Sequence, residues 1–212
     1  MSVSSAAAAL QSSPAIAQDW LNLKAELSLS AFDQRNLISV QAQYTTGQGL
    51  EGGTLLGGWP GRLLKEWTLL TQISAGSGLP ETPLYPAVIP GTGWMGPMRP
   101  SLTGVPIYAS NSASGASAHL NAAAYTAPAA GAWGTAGRNS ITGPSQFSLD
   151  SAMQRTFRPG GRYFLDVRLD AINLLNHVVY SGWNTTVGNL QFGLPASANA
   201  MRSVQTTIRM RF

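Results

Sequence analysis

Period-two alternation of apolar and polar residues is the feature that most restricts what this chain can fold into. One run of apolar residues alternates with polar ones: Tyr163, Leu165, Val167, Leu169 and Ala171. Successive side chains of a β-strand point to opposite faces, so this pattern predicts a strand with one apolar and one polar face. The same pattern recurs in residues 21–29, 38–44, 67–75, 147–154 and 204–212. We therefore predict an all-β chain with about six antiparallel strands.

The composition agrees with strands that face something other than water. Only 10% of the residues are charged, although 44% are hydrophobic, whereas soluble domains carry about 25% charged residues. Apolar residues alternating with small polar ones are typical of a transmembrane β-barrel. The net charge of +4 comes from scattered basic residues, so no nucleic-acid partner is expected. The absence of cysteine excludes disulfides and thiolate metal sites.

The connections between the predicted strands differ greatly in length. Residues 76–145 and 176–202 are long and rich in Gly, Ala and Ser, whereas Arg-Pro-Gly-Gly within residues 157–161 predicts a tight turn. Outer-membrane barrels have short periplasmic turns and long extracellular loops. We predict an up-and-down meander in which residues 76–145 form a surface loop without a core. Two connections do not fit, because residues 32–35 are short and residues 45–62 are long.

Aromatic residues gather at one end of the predicted strands. If the C-terminus is periplasmic, the periplasmic strand ends carry outward-facing Tyr44, Trp67, Phe157, Tyr163 and Phe212. Aromatic girdles lie at the interfaces of barrel and membrane. An alternating segment that closes on Phe212 is similar to the signal read by the barrel-assembly machinery. We therefore expect Phe212 to be an assembly signal, with that machinery and outer-membrane lipid as partners.

The polar strand faces carry charges that would line a lumen. Asp166, Arg168 and Asp170 share one face, and Arg209 and Arg211 share another. We expect Arg209 or Arg211 to pair with Asp166 or Asp170 across neighbouring strands. Alternation alone also fits a secreted or surface β-sandwich that binds partners. Solubility without detergent would separate this alternative from a barrel.

No catalytic, cofactor-binding or metal-binding residues are predicted, and we expect no enzyme. Residues 91–96 match GxGxxG, but they lie between Pro90 and Pro97 and predict a loop. The two histidines, His119 and His177, lack ligand spacing. Asp166 and Asp170 would make a poor catalytic pair, because Arg168 lies between them and would pair with either.

The N-terminal residues 1–18 are predicted to be disordered or weakly signal-like, because they lack a positively charged start. Residues 19–212 are predicted to form one barrel segment. Known bacterial barrels begin at eight strands, so about six strands predict an incomplete barrel. Its remaining strands would come from upstream sequence or from other chains.

Several segments resemble, in order, those of TonB-dependent-receptor-like proteins with an Oar-like β-barrel. The most specific are Gly-Arg-Asn-Ser at residues 137–140 and Asn-Leu-Leu-Asn-His at residues 173–177. Weaker ones lie at residues 31–36, 77–80 and 121–128. The resemblance covers about residues 32–212, the C-terminal portion of such proteins.

This resemblance implies a location in the outer membrane of a Gram-negative-type bacterium. Full-length members look like transporters of about 22 strands with a plugged lumen, and they also carry an N-terminal regulatory domain, a plug and a TonB box. The implied role is substrate uptake or a surface function. TonB is the implied partner, reached through regions upstream of this sequence.

Overall fold

The computed structural model describes residues 17–47, 57–109, 119–160 and 162–212. The predicted N-terminal segment, residues 1–18, lies outside this part except for its last two residues. Eleven strands are present in the described part, and their bounds follow in chain order. They are β1 Leu37–Thr45, β2 Thr68–Gly76, β3 Pro80–Glu81, β4 Ser101–Leu102, β5 Tyr125–Thr126, β6 Ile141–Thr142, β7 Gln146–Gly160, β8 Tyr163–Ile172, β9 Tyr180–Trp183, β10 Pro195–Ala198 and β11 Ser203–Arg211.

The five long strands form one sheet in the order β1-β2-β7-β8-β11. β1 is antiparallel to β2, and β8 is antiparallel to both β7 and β11. β7 also runs antiparallel to its neighbour β2, because Phe157 contacts Trp67 at one end while Ser151 bonds to Leu70 further along. The sheet is therefore an up-and-down meander, which confirms the antiparallel all-β prediction.

One predicted strand is wrong. Residues 21–29 alternate as strictly as the others, yet they contain a 3-10 helix, Leu23–Glu26, and otherwise irregular backbone. The physical reason lies in Glu26, whose carboxylate binds the guanidinium of Arg99. The large sheet thus has five strands, and β1 is one of its edges.

The two longest connections, residues 77–145 and 173–202, reach the large sheet at the same end. Leu37 at the start of β1 lies opposite Gly76 at the end of β2, and Ser203 at the start of β11 lies opposite Ile172 at the end of β8. At the other end, residues 161–162 join β7 to β8. The predicted tight turn is thus shorter than residues 157–161, because β7 continues to Gly160 through a register shift after Phe157. Only the 46–67 connection, with its short helix Gly58–Leu64, stays long at this end.

The chain divides into two compact units. The first, here called the sheet unit, consists of Leu37–Gly76, Phe147–Val179 and Ala200–Phe212. The second, here called the connection unit, consists of Met1–Asn36, Ser77–Gln146 and Tyr180–Asn199. In their described parts, the sheet unit holds the large sheet and the connection unit holds three two-stranded sheets, β3–β6, β4–β5 and β9–β10.

The connection unit has a hydrophobic core, so the prediction that residues 76–145 contain none is wrong. Its largest buried cluster consists of Leu120, Ala124, Tyr125, Ala136, Ile141, Val187 and Phe192. The rings of Tyr125 and Phe192 pack edge to face, with centroids 5.7 Å apart. These side chains come from short strands and turns in which apolar and polar residues do not alternate regularly. The sequence pattern therefore did not indicate this core. Among the described helices, none has the length and apolar character needed to cross a membrane.

Candidate functional site

The polar side chains of the large sheet share one face, here called the concave face because a cavity lies on it. A cavity of about 670 Å³ lies on it and is lined by residues of all five long strands, from Thr45 on β1 to Arg209 on β11. A second cavity of about 310 Å³ lies between Gln41, Gln72 and Asp170. Side chains two residues apart share a face, and the strand register aligns the polar positions of neighbouring strands. The five predicted lumen-facing residues therefore lie together on this concave face.

Asp166 is the centre of one polar cluster. Its carboxylate accepts hydrogen bonds from the Arg211 guanidinium at 3.1 Å and from the Thr156 hydroxyl at 2.7 Å. The predicted pairing across strands is confirmed for Arg211 and Asp166. Arg209 lies directly opposite Asp166 in the register, but no bond of its side chain occurs within the described residues. Arg211 also stacks on Phe164, at 5.4 Å from the ring centroid.

Arg168 and Asp170 form the second polar cluster. The guanidinium of Arg168 donates to both carboxylate oxygens of Asp170, at 2.7 to 2.9 Å, and to the side-chain oxygen of Gln154 at 3.4 Å. This is the paired arrangement that the sequence suggested for these charges. A carboxylate held by a guanidinium is poorly suited to take up a proton.

The apolar face ends in an aromatic band. Trp67 and Phe157 pack edge to face with centroids 6.0 Å apart, and Tyr44 and Tyr163 lie at the same end of the sheet. Phe212 follows β11 at this end and is 94% exposed. Its role as an assembly signal stays a prediction.

Arg155 is a cation on the apolar face that the sequence analysis missed. It shares that face with Phe157 and is only 7% exposed. Its guanidinium lies 4.4 Å from the ring centroid of Phe157 and 5.8 Å from that of Trp67. The negative faces of aromatic rings stabilise a cation in an apolar environment, which explains how Arg155 is accommodated in the aromatic band.

A buried ion pair in the connection unit was also missed. Arg99 is 2% exposed, and its guanidinium forms two 2.7 Å bonds with the carboxylate of Glu26. Gln18 accepts from the Arg99 backbone N–H at 2.7 Å. Hydrogen bonds from Arg99 hold the pKa of Glu26 below its usual value, against the opposing effect of burial. Because 73 residues separate the partners, no spacing rule could have paired them.

Glu81 is a partly buried acid of the connection unit, and it lacks a basic partner within the described residues. Both carboxylate oxygens accept from the backbone N–H of Trp183, at 3.1 and 3.2 Å. Burial raises the pKa of Glu81 to about 7, and the Trp183 bond opposes this effect. Gly143 and Gly182 leave the space for this carboxylate, since a Cβ at either would lie 2.8 Å from its oxygen.

The segments that carry the family resemblance have structural roles here. Asn139, at a φ of +53°, donates to the Leu29 carbonyl at 2.6 Å and accepts from the Thr82 hydroxyl at 2.9 Å. Asn173, at a φ of +50°, bonds twice to the backbone of His177. These positions favour asparagine because it tolerates the left-handed conformation and bonds to nearby backbone. The described part of the chain contains no cluster of His, Cys, Asp and Glu that could hold a metal ion.

Comparison with known proteins identifies the family. The chain matches, over residues 1–205, the family model described as an outer membrane beta barrel domain. No curated protein and no solved structure shows significant similarity to it. The family accounts for the two-faced antiparallel sheet and places the protein in the outer membrane of a Gram-negative bacterium, which decides against the secreted β-sandwich. The chain belongs to the outer membrane beta barrel domain family.

Proposed function

We propose that this chain forms part of the wall of an outer-membrane lumen through which solutes pass. The observation that carries the proposal is the division of one sheet into two faces. The apolar face ends in an aromatic band, whereas the concave face holds paired charges and a cavity of about 670 Å³. In a barrel, the first face contacts lipid and the second lines a water-filled interior.

The proposed role is passive conduction rather than catalysis. Asp166 and Asp170 are each bound to an arginine, so neither is placed to act as a general acid or base. Paired charges on a lumen wall instead keep the interior polar and wet. We therefore propose that the protein is not an enzyme.

A TonB-dependent transporter or receptor is the more specific form of this proposal. It is supported by the resemblance of residues 137–140 and 173–177 to such proteins, in which these segments occur in the same order. Binding of the protein, as isolated from outer membranes, to the periplasmic domain of TonB would support this form. A lack of binding at concentrations that retain a known TonB-dependent receptor would contradict it.

Adjacent residues of β11 provide a matched test of the lumen. Thr207 lies opposite Arg168 on the polar face, and Ile208 lies opposite Val167 on the apolar face. In planar bilayers with potassium chloride, we expect Thr207→Trp to reduce the conductance of the intact protein and Ile208→Trp to leave it unchanged. Equal effects of the two variants, or no conductance by the unmodified protein, would overturn the proposal.

A further inference from the structure

The concave face carries two guanidinium groups that are not hydrogen-bonded to its acids. Arg158 on β7 and Arg209 on β11 both line the cavity of about 670 Å³, and neither has a hydrogen bond or ion pair within the described residues. The acids of this face have other partners. Asp170 binds Arg168 and Asp166 binds Arg211, at 2.7 and 3.0 Å, while Glu66 lies 3.9 Å from Lys65.

The two arginines lie on the strands that flank Asp166. Thr156 of β7 and Arg209 of β11 both lie opposite this residue, and Arg158, within the register shift that follows Phe157, lines the same cavity. The two strands are separated by β8 alone, a distance of about 10 Å. Two arginine side chains extending into one cavity can span that distance and meet at a single bound anion.

Hydroxyl groups of the lining suit the same ligand. Thr207 contributes a hydroxyl that can donate to an oxygen atom, and Thr68 and Thr45 line the cavity as a bonded pair, 3.2 Å apart. The guanidinium is a planar fork whose N–H groups match two oxygens of a carboxylate or phosphate. A lumen with low-dielectric walls strengthens the attraction of such a site for anions.

We propose that this cavity binds an oxyanionic solute, with Arg158 and Arg209 as the groups that contact it. This inference rests on the proposed function, because it assigns a substrate class to the same lumen. It predicts a lumen that favours anions over cations of equal size. Arg168 and Arg211 contribute little to this preference, since each is bound to a carboxylate.

The test uses inorganic phosphate and the intact protein isolated from outer membranes in maltoside micelles. Isothermal titration calorimetry should show saturable binding that weakens as the salt concentration rises. The double variant R158Q/R209Q should bind phosphate at least about tenfold more weakly, because two charge-assisted contacts are lost. Arg202→Gln removes one guanidinium charge at the opposite end of the sheet, and this variant should bind phosphate as the unmodified protein does.

A second double variant guards against loss of folding. R158K/R209K keeps both charges but removes the planar forks, so its affinity should lie between those of the unmodified protein and R158Q/R209Q. Absence of saturable binding by the unmodified protein would overturn the inference. Undiminished phosphate binding by R158Q/R209Q would also overturn the inference. If R158Q/R209Q does not fold, undiminished binding by R158K/R209K would overturn it instead.

Conductance of the same samples separates this inference from the proposed function. A protein that conducts but does not bind phosphate would overturn the inference and leave the proposed function standing. A protein that binds phosphate through Arg158 and Arg209 but does not conduct would overturn the proposed function and retain the anion site.

Discussion

The sheet unit and the connection unit bury their apolar side chains very differently. The sheet unit has the regular secondary structure, yet only Ala171 and Val179 are buried hydrophobic residues in its described part. The connection unit is mostly irregular, and it contains Ile89, Met98, Leu120, Ala124, Tyr125, Ala136, Ile141, Val187 and Phe192. Regular strands and a hydrophobic core are thus separate properties in this molecule.

The difference indicates that the two units are built for different solvents. A sheet that exposes Ile38, Val40, Val204 and Ile208 to the extent of 49% or more is suited to lipid, which contacts apolar side chains without cost. The connection unit buries apolar groups and an ion pair away from solvent, as proteins in water do. We therefore expect its core to lie outside the hydrocarbon layer.

The largest expected effect is the loss of the buried ion pair in the connection unit. Glu26→Gln leaves the Arg99 guanidinium, 2% exposed, without its counter-charge, which costs about 3–5 kcal/mol. Hydrogen exchange of peptides from residues 77–109 and 119–146 should become markedly faster. Glu66→Gln, which removes an exposed acid 3.9 Å from Lys65, should change exchange little. Unchanged exchange in the Glu26 variant would contradict the role given to this pair.

An arginine on the lipid face of the sheet should have the next largest effect. Leu169 lies opposite Met153 and Thr206 on the apolar face, so Leu169→Arg should lower the free energy of unfolding in lipid by about 2–4 kcal/mol. Gln205→Arg places the same charge on the polar face, opposite Asp170. Gln205→Arg should therefore leave the free energy of unfolding nearly unchanged. Urea titrations of the protein folded in vesicles measure this free energy for both variants. Equal losses for the two variants would mean that the faces are not distinct.

Alternation predicted the sheet well because each strand's own sequence alternates between residues suited to lipid and residues suited to water. The five segments 38–44, 67–75, 147–154, 163–171 and 204–212 lie in strands, except that Trp67 precedes β2 and Phe212 follows β11. Their parity correctly grouped Asp166 with Arg211. Alternation failed at residues 21–29, where a long-range contact between Glu26 and Arg99 replaced strand pairing. Alternation shows that a segment can form a strand, but not whether it pairs with another strand or makes a different long-range contact.

The core of the connection unit could not be predicted, because it too depends on long-range contacts. Its core depends on contacts between segments that are far apart in the sequence, such as Leu120 with Val187 and Phe192. Its glycines give a partial signal. Gly78 approaches Gly143 so closely that a Cβ would lie 1.8 Å from the Gly143 oxygen. A Ser-Gly-Leu-Pro segment therefore indicates a close backbone approach, although it does not say to what.

The pH dependence of the two units should differ through Glu81. Its pKa is raised to about 7, so the stability that it contributes is present below its unfolded value of 4.5 and is lost as the pH rises through 7. The connection unit should therefore lose up to about 3 kcal/mol as the pH rises from 4.5 to 7, since one pKa unit corresponds to about 1.4 kcal/mol. Hydrogen exchange corrected for the intrinsic rate measures this loss. Glu81→Gln should abolish the loss. The pKa of Glu26 is lowered, so its contribution disappears only below pH 4.5.

The smallest expected effect concerns the exposed pair on the concave face. Asp166 and Arg211 have side chains that are 29% and 57% exposed, so solvent screening should leave their coupling energy far below the effect of Glu26→Gln. A double-mutant cycle of Asp166→Asn and Arg211→Gln, measured by urea unfolding in vesicles, gives this value. A coupling energy as large as the effect of Glu26→Gln would mean that the exposed ion pair of the sheet unit and the buried ion pair of the connection unit do not differ in strength.

Cysteine scanning along β8 tests the central claim, that the two faces of the sheet contact lipid and water. The chain has no cysteine, so single spin labels can be placed at residues 165–170 of the intact protein in vesicles. We expect labels at Leu165, Val167 and Leu169 to collide with dissolved oxygen in the lipid, and labels at the alternate positions Asp166, Arg168 and Asp170 to collide with a water-soluble nickel complex. Accessibility that alternates with a period of two in this phase would support the account. Uniform accessibility to the nickel complex, or alternation in the opposite phase, would contradict it.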